Sequence, residues 1–206
     1  MTQQLFDGDT FEHRGRMFRV RFPRDESMGA PWEEQDGNGV VSDWTTRDKA
    51  PGEKVLATDG SYSLYYDVQA SIEIAERDGW GPKRCAVCGE EAGGLGTSMY
   101  GSVHKYGPLL EHDFTPETRE EQAIRAVEED YEYLRGWCAD EWEYVGVVVC
   151  LCDDDGNPDG GPDTQASLWG IESNSGGYLN TVARELADEI MALVEVDNPD
   201  VQLSEN

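Results

Sequence analysis

Between Thr115 and Trp142 the chain reads TPETREEQAIRAVEEDYEYLRGWCADEW, and this stretch limits the possible folds more than any other. Ile124, Val127, Tyr131, Leu134 and Cys138 recur at alternating spacings of three and four residues. That is the period of an amphipathic helix with a buried stripe. The other positions are largely acidic: Glu117, Glu120, Glu121, Glu128, Glu129, Asp130, Glu132, Asp140 and Glu141, against Arg119, Arg125 and Arg135. Thr115 stands where an N-cap is needed, and Pro116 suits the first helical position because no donor is required there. Acidic residues in the first turn favour the positive end of the helix dipole. Gly136 is the expected point of an early end or bend.

The acidic bias runs through the whole chain. Its 206 residues carry 43 Asp and Glu against 16 Lys and Arg, a formal charge of −27. Phosphate binding needs a basic surface, so nucleic acid is excluded as a direct partner. Anionic membranes are excluded on the same ground. The charge fits a basic protein partner, divalent cations, or a surface adapted for solubility or high salt. Scarce lysine, at Lys49, Lys54, Lys83 and Lys105, agrees with the last of these. No apolar run approaches the roughly 20 residues that span a bilayer, and MTQQLFDGDT lacks the features of a signal peptide. A cytoplasmic protein is expected, with Cys85, Cys88, Cys138, Cys150 and Cys152 as reduced thiols or metal ligands.

Alternation and turn residues predict hairpins at Thr10–His13 with Met17–Phe22, and at Val55–Thr58 with Tyr62–Tyr66 across Asp59-Gly60. The intervening Gly- and Pro-containing loop carries Trp32 and Trp44, which predicts that it packs down. Asp67–Asp78 reads as a short helix stopped by Gly79-Trp80-Gly81-Pro82. Glu143–Cys152, apolar on both faces apart from Gly146, reads as a central strand. Ala166–Ser173 completes a hairpin with it, and a last helix covers Tyr178–Glu195 with Val182, Leu186, Ile190 and Leu193 on one side. The expected class is α+β: an antiparallel sheet with two or three helices packed on one face. The parts are a β-rich segment 1–82, an inserted Cys/His module 83–114, a helix–hairpin–helix segment 115–196 of the same domain, and a flexible tail 197–206.

Cys85-Ala-Val-Cys88-Gly89 is the sharpest chemical motif. Two cysteines three apart on a tight turn aim both thiolates at one ion, and structural zinc takes four ligands. His104 and His112 are the nearest completion; Cys150 and Cys152 are the rival pair. No open-site motif such as HExxH accompanies them, which favours a structural zinc over a catalytic one. Asp155, Asn157, Asp159 and Gly160 match the early positions of a calcium loop, but Ala166 stands where the bidentate Glu belongs, so a solvated hairpin loop is expected. Trp137 and Trp142 read as core anchors. The three histidines accompany no recognisable nucleophile motif, and no catalytic residue is assigned.

The stretches GAPWEEQDGNGVVSDWTTRDKAPGE, YEYLRGWCADEWEYVGVVV and SLWGIES followed by YLNTVARELADEI resemble an acidic protein family of tailed bacteriophages and prophages. The resemblance covers most of the chain outside 83–114, where members of that family differ. It implies a mobile-element setting and no catalytic residues. By analogy of class with small acidic phage proteins, it points to a DNA-mimic inhibitor of a host restriction or CRISPR enzyme. The carboxylates expected to dock in such a basic partner are Glu120, Glu121, Glu128, Glu129, Glu132, Asp153, Asp154 and Asp155. A helix from Glu117 to Glu141 spans about 36 Å, and duplex DNA of that length carries roughly 20 phosphates. Other acids, or a homodimer, must then extend the surface. The alternatives are a non-enzymatic, zinc-stabilised adaptor between proteins, and a solubility- or high-salt-adapted protein.

Overall fold

The computed structural model describes residues 4–92, 114–153, 155–161 and 163–197. The class is α+β, with antiparallel sheets and four helices among the described residues. The strands form two sheets, each with its own core, and the chain divides into two compact units. Met1–Gly29 and Trp142–Asn206 make one unit, and Ala30–Glu141 makes the other. Residues 1–82 and 115–196, grouped from the sequence as parts of one domain, are both divided by these bounds.

In the first unit, β1 (Thr10–His13), β2 (Arg16–Arg21), β6 (Tyr144–Leu151) and β7 (Gln165–Glu172) form a sheet in the order β1-β2-β6-β7. The β1–β2 hairpin turns at Arg14 and Gly15, whose φ values of 49° and 77° suit a tight two-residue loop. Helix α4 (Tyr178–Asp197) covers one face. Val182, Leu186 and Ile190 pack with Phe18, Val20, Val147 and Val149 as the stripe requires, while Leu193, expected on the same side, is 44% exposed. Gly146 interrupts the apolar β6 because the Trp169 ring lies against it: a Cβ there would sit 2.5 Å from Trp169 Cε3. The pairing shifts register at this point. Asp25, 6% exposed, closes the bulge by accepting the Gly170 N–H at 3.0 Å.

In the second unit, β3 (Val40–Val41), β5 (Tyr62–Asp67) and β4 (Glu53–Asp59) form a sheet with β5 central. Helices α2 (Val68–Asp78) and α3 (Arg119–Cys138) belong to its core, and the one-turn α1 (Pro31–Glu34) lies in the segment expected to be loop. Trp32 packs edge-on against Trp137 at 5.4 Å, which holds that segment down.

Helix α3 is shorter than 115–142 at both ends, for identifiable reasons. Thr118, rather than Thr115, is the N-cap: its Oγ1 accepts the Glu121 N–H while Glu121 accepts the Thr118 N–H, a reciprocal capping box. Thr115–Glu117 are committed instead to main-chain bonds with Ala86 and Arg84. At the other end Gly136 stays inside the helix and is buried. The helix stops when Asp140 turns left-handed at φ 54°, with Asp140 N–H donating to Trp137 O and Glu141 N–H to Gly136 O. These two bonds satisfy the last carbonyls in the Schellman pattern. The stripe is also rotated: Ala123, Val127 and Leu134 are buried, whereas Ile124 is 48% exposed.

Candidate functional site

The carboxylates singled out from the sequence lie mainly on the outer side of α3, and the fold gives Glu128, Glu129 and Glu132 a cation. Glu128 pairs with Lys54, whose Nζ also sits 4.3 Å from the Tyr131 ring centroid. Glu129 receives Arg84 at 2.8 Å and Arg125 at 3.4 Å. Glu132 pairs with Arg135 at 2.8 Å, and Arg135 also reaches Glu141 at 3.0 Å. Glu121 is taken up in the capping box, and the Thr118 N–H holds its carboxyl below the usual value. Asp153 Oδ1 accepts the N–H groups of Asp155 and Asn157 at 3.0 and 2.8 Å, which folds the acidic loop on itself; Asp154 lies outside the described residues.

Glu120 differs. It is exposed, has no cation partner among the described residues, and shares a cleft of about 570 Å³ with Glu73, Glu76, Arg77 and Arg119. The two arginines there are already engaged. Arg77 pairs with Asp78 at 2.8 Å, and Arg119 donates to the Glu76 and Arg77 carbonyls at the end of α2. Glu73, Glu76 and Glu120 thus form no ion pair among the described residues, and the Arg119 guanidinium, bonded to neutral carbonyls, keeps its charge beside them.

Asp130, one of the acids off the expected apolar stripe, turns inward. Its Oδ2 accepts the Tyr66 hydroxyl at 2.7 Å and the Gly39 N–H at 2.8 Å. Ser71 Oγ accepts the Val40 N–H at 2.9 Å and donates to the Asp67 carbonyl at 2.6 Å. Burial pushes the Asp130 carboxyl above its ordinary value, against the Tyr66 hydrogen bond, which favours the ionised form. Burial likewise pushes the Tyr66 hydroxyl far up. Gly39 is required: a Cβ there would collide with Tyr66 Oη and Ser71 Oγ. The sequence signal was available, since Asp130 falls between Val127 and Leu134 on the face of Ala123.

Cys85 and Cys88 lie on a short hairpin in which Arg84 bridges Glu91 and Ala92 N–H donates to Lys83 O. The turn is tight: Gly89 N–H donates to Cys85 O at 2.8 Å with Gly89 at φ 74°. Cys85 is buried and Cys88 exposed, and the Thr115 N–H points at Cys85 Sγ from 3.5 Å. His104 and His112 lie outside the described residues. Among the described residues no group of three or more His, Cys, Asp or Glu is arranged to hold a metal ion. Cys150 lies near the end of β6 and Cys152 just beyond it, and burial pushes both thiols up. Burial also pushes Cys138 up, to about 11.

The described histidine, His13, is held at 2.7 Å by Asp188, which also binds Arg14 at 2.9 Å. This pair ties the β1–β2 turn to α4. No helix of the described residues is long and apolar enough to cross a membrane. Comparison with family models, curated proteins and solved structures finds no match.

Proposed function

We propose that the chain is a non-catalytic accessory protein of a phage or related mobile element. In this reading it works in the host cytoplasm and docks against the basic, nucleic-acid-binding surface of a host defence enzyme of restriction or CRISPR type. The observation that carries the reading is the charge of −27 on a chain with 16 basic residues. The ion pairs on α3 do not oppose it. Exposed pairs such as Glu128–Lys54 and Glu132–Arg135 are screened by solvent and contribute little. A partner guanidinium held in a desolvated cleft can replace such cations. The geometry limits the mimicry, however. The 20 residues of α3 span about 30 Å, a length over which duplex DNA carries roughly 18 charges. Glu120, Glu128, Glu129 and Glu132 replace a few of those phosphates, so the mimicry is partial.

The test is competition. A purified restriction or CRISPR-type enzyme is titrated with the chain in the presence and absence of duplex DNA, at two salt concentrations. Mutually exclusive binding that weakens with salt supports the reading. Simultaneous binding, or none, overturns it.

One observation favours a second reading, a zinc-stabilised adaptor. The Cys85–Gly89 turn is tight, and a backbone donor faces the Cys85 sulfur. Such donors stabilise a thiolate. Here Cys85 and Cys88 supply two ligands and His104 with His112 the other two, and the metal holds a protein-binding module. Zinc content of the purified protein, with and without Cys85→Ser plus Cys88→Ser, separates this reading from a metal-free inhibitor.

A further inference from the structure

We propose that β7 is a self-pairing edge, where the chain binds a second copy of itself by joining β7 to β7 antiparallel about a two-fold axis. The inference is independent of the docking reading.

β7 is the last strand in the order β1-β2-β6-β7, eight residues long, and among the described residues its strand partner is β6. Among the described residues nothing bonds to its outer main chain between Gln165 and Leu168. Leu151 N–H donates to Thr164 O at 2.8 Å, so Thr164 faces β6. Residues of an antiparallel strand turn their N–H and C=O alternately to opposite sides. Gln165 and Ser167 thus turn theirs away from β6, and both are exposed. The register from Gln165 to Leu168 is regular, and the irregularity lies beyond it, toward Val145.

Exposed edges are normally blunted by charge, proline or shortness. The other outer strands follow this rule. β1 has four residues and carries Glu12, β3 has two, and β4 carries Glu53, Lys54 and Asp59. β7 is different: its one charged residue is the terminal Glu172, and the seven residues from Gln165 to Ile171 carry none, in a chain that is 29% charged. Leu168 and Trp169 stand 44% and 48% exposed on it.

The charge pattern selects the occupant. A basic partner finds its complement at the carboxylates, not here. Two copies of a −27 chain repel wherever their acids meet, and the uncharged run Gln165–Ile171 is where they can approach. An edge strand is also its own hydrogen-bonding complement under two-fold symmetry. The remaining repulsion between copies is screened as salt rises, so self-association tightens with salt, whereas carboxylate docking weakens.

Sedimentation velocity of the full chain over a micromolar concentration series, at low and high sodium chloride, tests this. A monomer–dimer equilibrium is expected, with a Kd about tenfold lower at 1 M than at 0.1 M salt. Ser167→Pro removes the outward N–H at an edge position where proline is tolerated, and should give monomer throughout. Ser167→Lys, which brings two ammonium groups together at the joint, should do the same and decides the matter if the proline variant fails to fold. Circular dichroism serves as the folding control. Monomer for the wild type at every concentration and salt would overturn the proposal, as would an undiminished dimer in well-folded Ser167→Lys.

Discussion

Replacing Tyr66 by Phe removes one oxygen from the interior of the Ala30–Glu141 unit and keeps the ring. Tyr66 is 0% exposed, and its ring packs edge-on against Tyr131 at 5.7 Å, a contact that Phe retains. What is lost is the 2.7 Å bond to Asp130 Oδ2. A hydrogen bond to a charged group contributes about 1.5–3 kcal/mol, so Tyr66→Phe should destabilise by that amount at neutral pH. Asp130→Ala should cost more, because it leaves the Gly39 N–H without its acceptor, at about 1–3 kcal/mol, and the Tyr66 hydroxyl with only the Val127 carbonyl at 3.5 Å.

The pH dependence gives a sharper check. Burial raises the Asp130 value in the fold, and the Tyr66 bond opposes that rise. Without the hydroxyl the Asp130 value should climb further. A carboxyl raised in the fold contributes stability that is fully present below its unfolded value, near 4, and is lost as pH rises through its folded value. The cost of Tyr66→Phe should therefore be greatest at neutral pH and shrink on the acid side of the folded Asp130 value. Urea unfolding of the wild type and both variants at several pH values measures the cost. Carbon-detected NMR titration of the Asp130 carboxyl measures the shift. A Tyr66→Phe loss below about 0.5 kcal/mol at neutral pH, or a downward shift of Asp130, would refute the reasoning.

Gly146→Ala should destabilise by about 1–3 kcal/mol, as overpacking does, and change the Trp169 fluorescence, since the added methyl displaces that ring; an unchanged spectrum and melting curve would count against the contact. Arg125→Ala should cost more than Arg135→Ala in thermal denaturation, because Arg125 and Glu117 are about one-sixth exposed and bonded at 2.8 Å, while the Arg135 pairs are exposed. Charge reversal at Glu120, Glu128, Glu129 and Glu132 should leave the circular dichroism unchanged and weaken capture by a basic DNA-binding enzyme, most strongly at low salt. If Cys85 and Cys88 hold zinc, elemental analysis should give one zinc per chain, lost in Cys85→Ser plus Cys88→Ser.

Much of the fold was legible because its signals are local. Asp67 caps α2 by accepting the Ala70 N–H, and Gly79 ends it at φ 74°. Both follow from residues within the element. The β6–β7 hairpin was legible from its apolar runs. The long-range choices were not. Thr115 and Thr118 are both good caps, and the main-chain bonds of Thr115 and Glu117 to a distant hairpin decided between them. Ile124 and Ala123 compete for the same stripe, and the close α2–α3 contact selects the smaller residue, leaving Ile124 exposed. Likewise, which carboxylates face a cation depends on where Lys54 and Arg84 arrive, and no spacing within α3 encodes that. Two sheets rather than one also lay beyond periodicity, which specifies strands but not their partners.

Charge arithmetic decides what the ion pairs on α3 mean. With 43 acids and 16 bases, 43 − 16 = 27 carboxylates have no cation of their own in any conformation. Placing Lys54, Arg84, Arg125 and Arg135 around α3 therefore leaves other carboxylates bare of an ion pair among the described residues, including Glu73, Glu76 and Glu120. If the acids served solubility only, bare and paired carboxylates would be equivalent, and reversing either set would leave partner binding unchanged. If they dock a basic protein, the bare set should dominate, because no internal cation has to be displaced first. Comparing Glu73, Glu76 and Glu120 reversed together with Glu128, Glu129 and Glu132 reversed together thus separates the two uses of the same charge. A larger loss of partner affinity in the first set is the docking outcome. Equal affinities in the wild type and both sets would assign the acids to solvation.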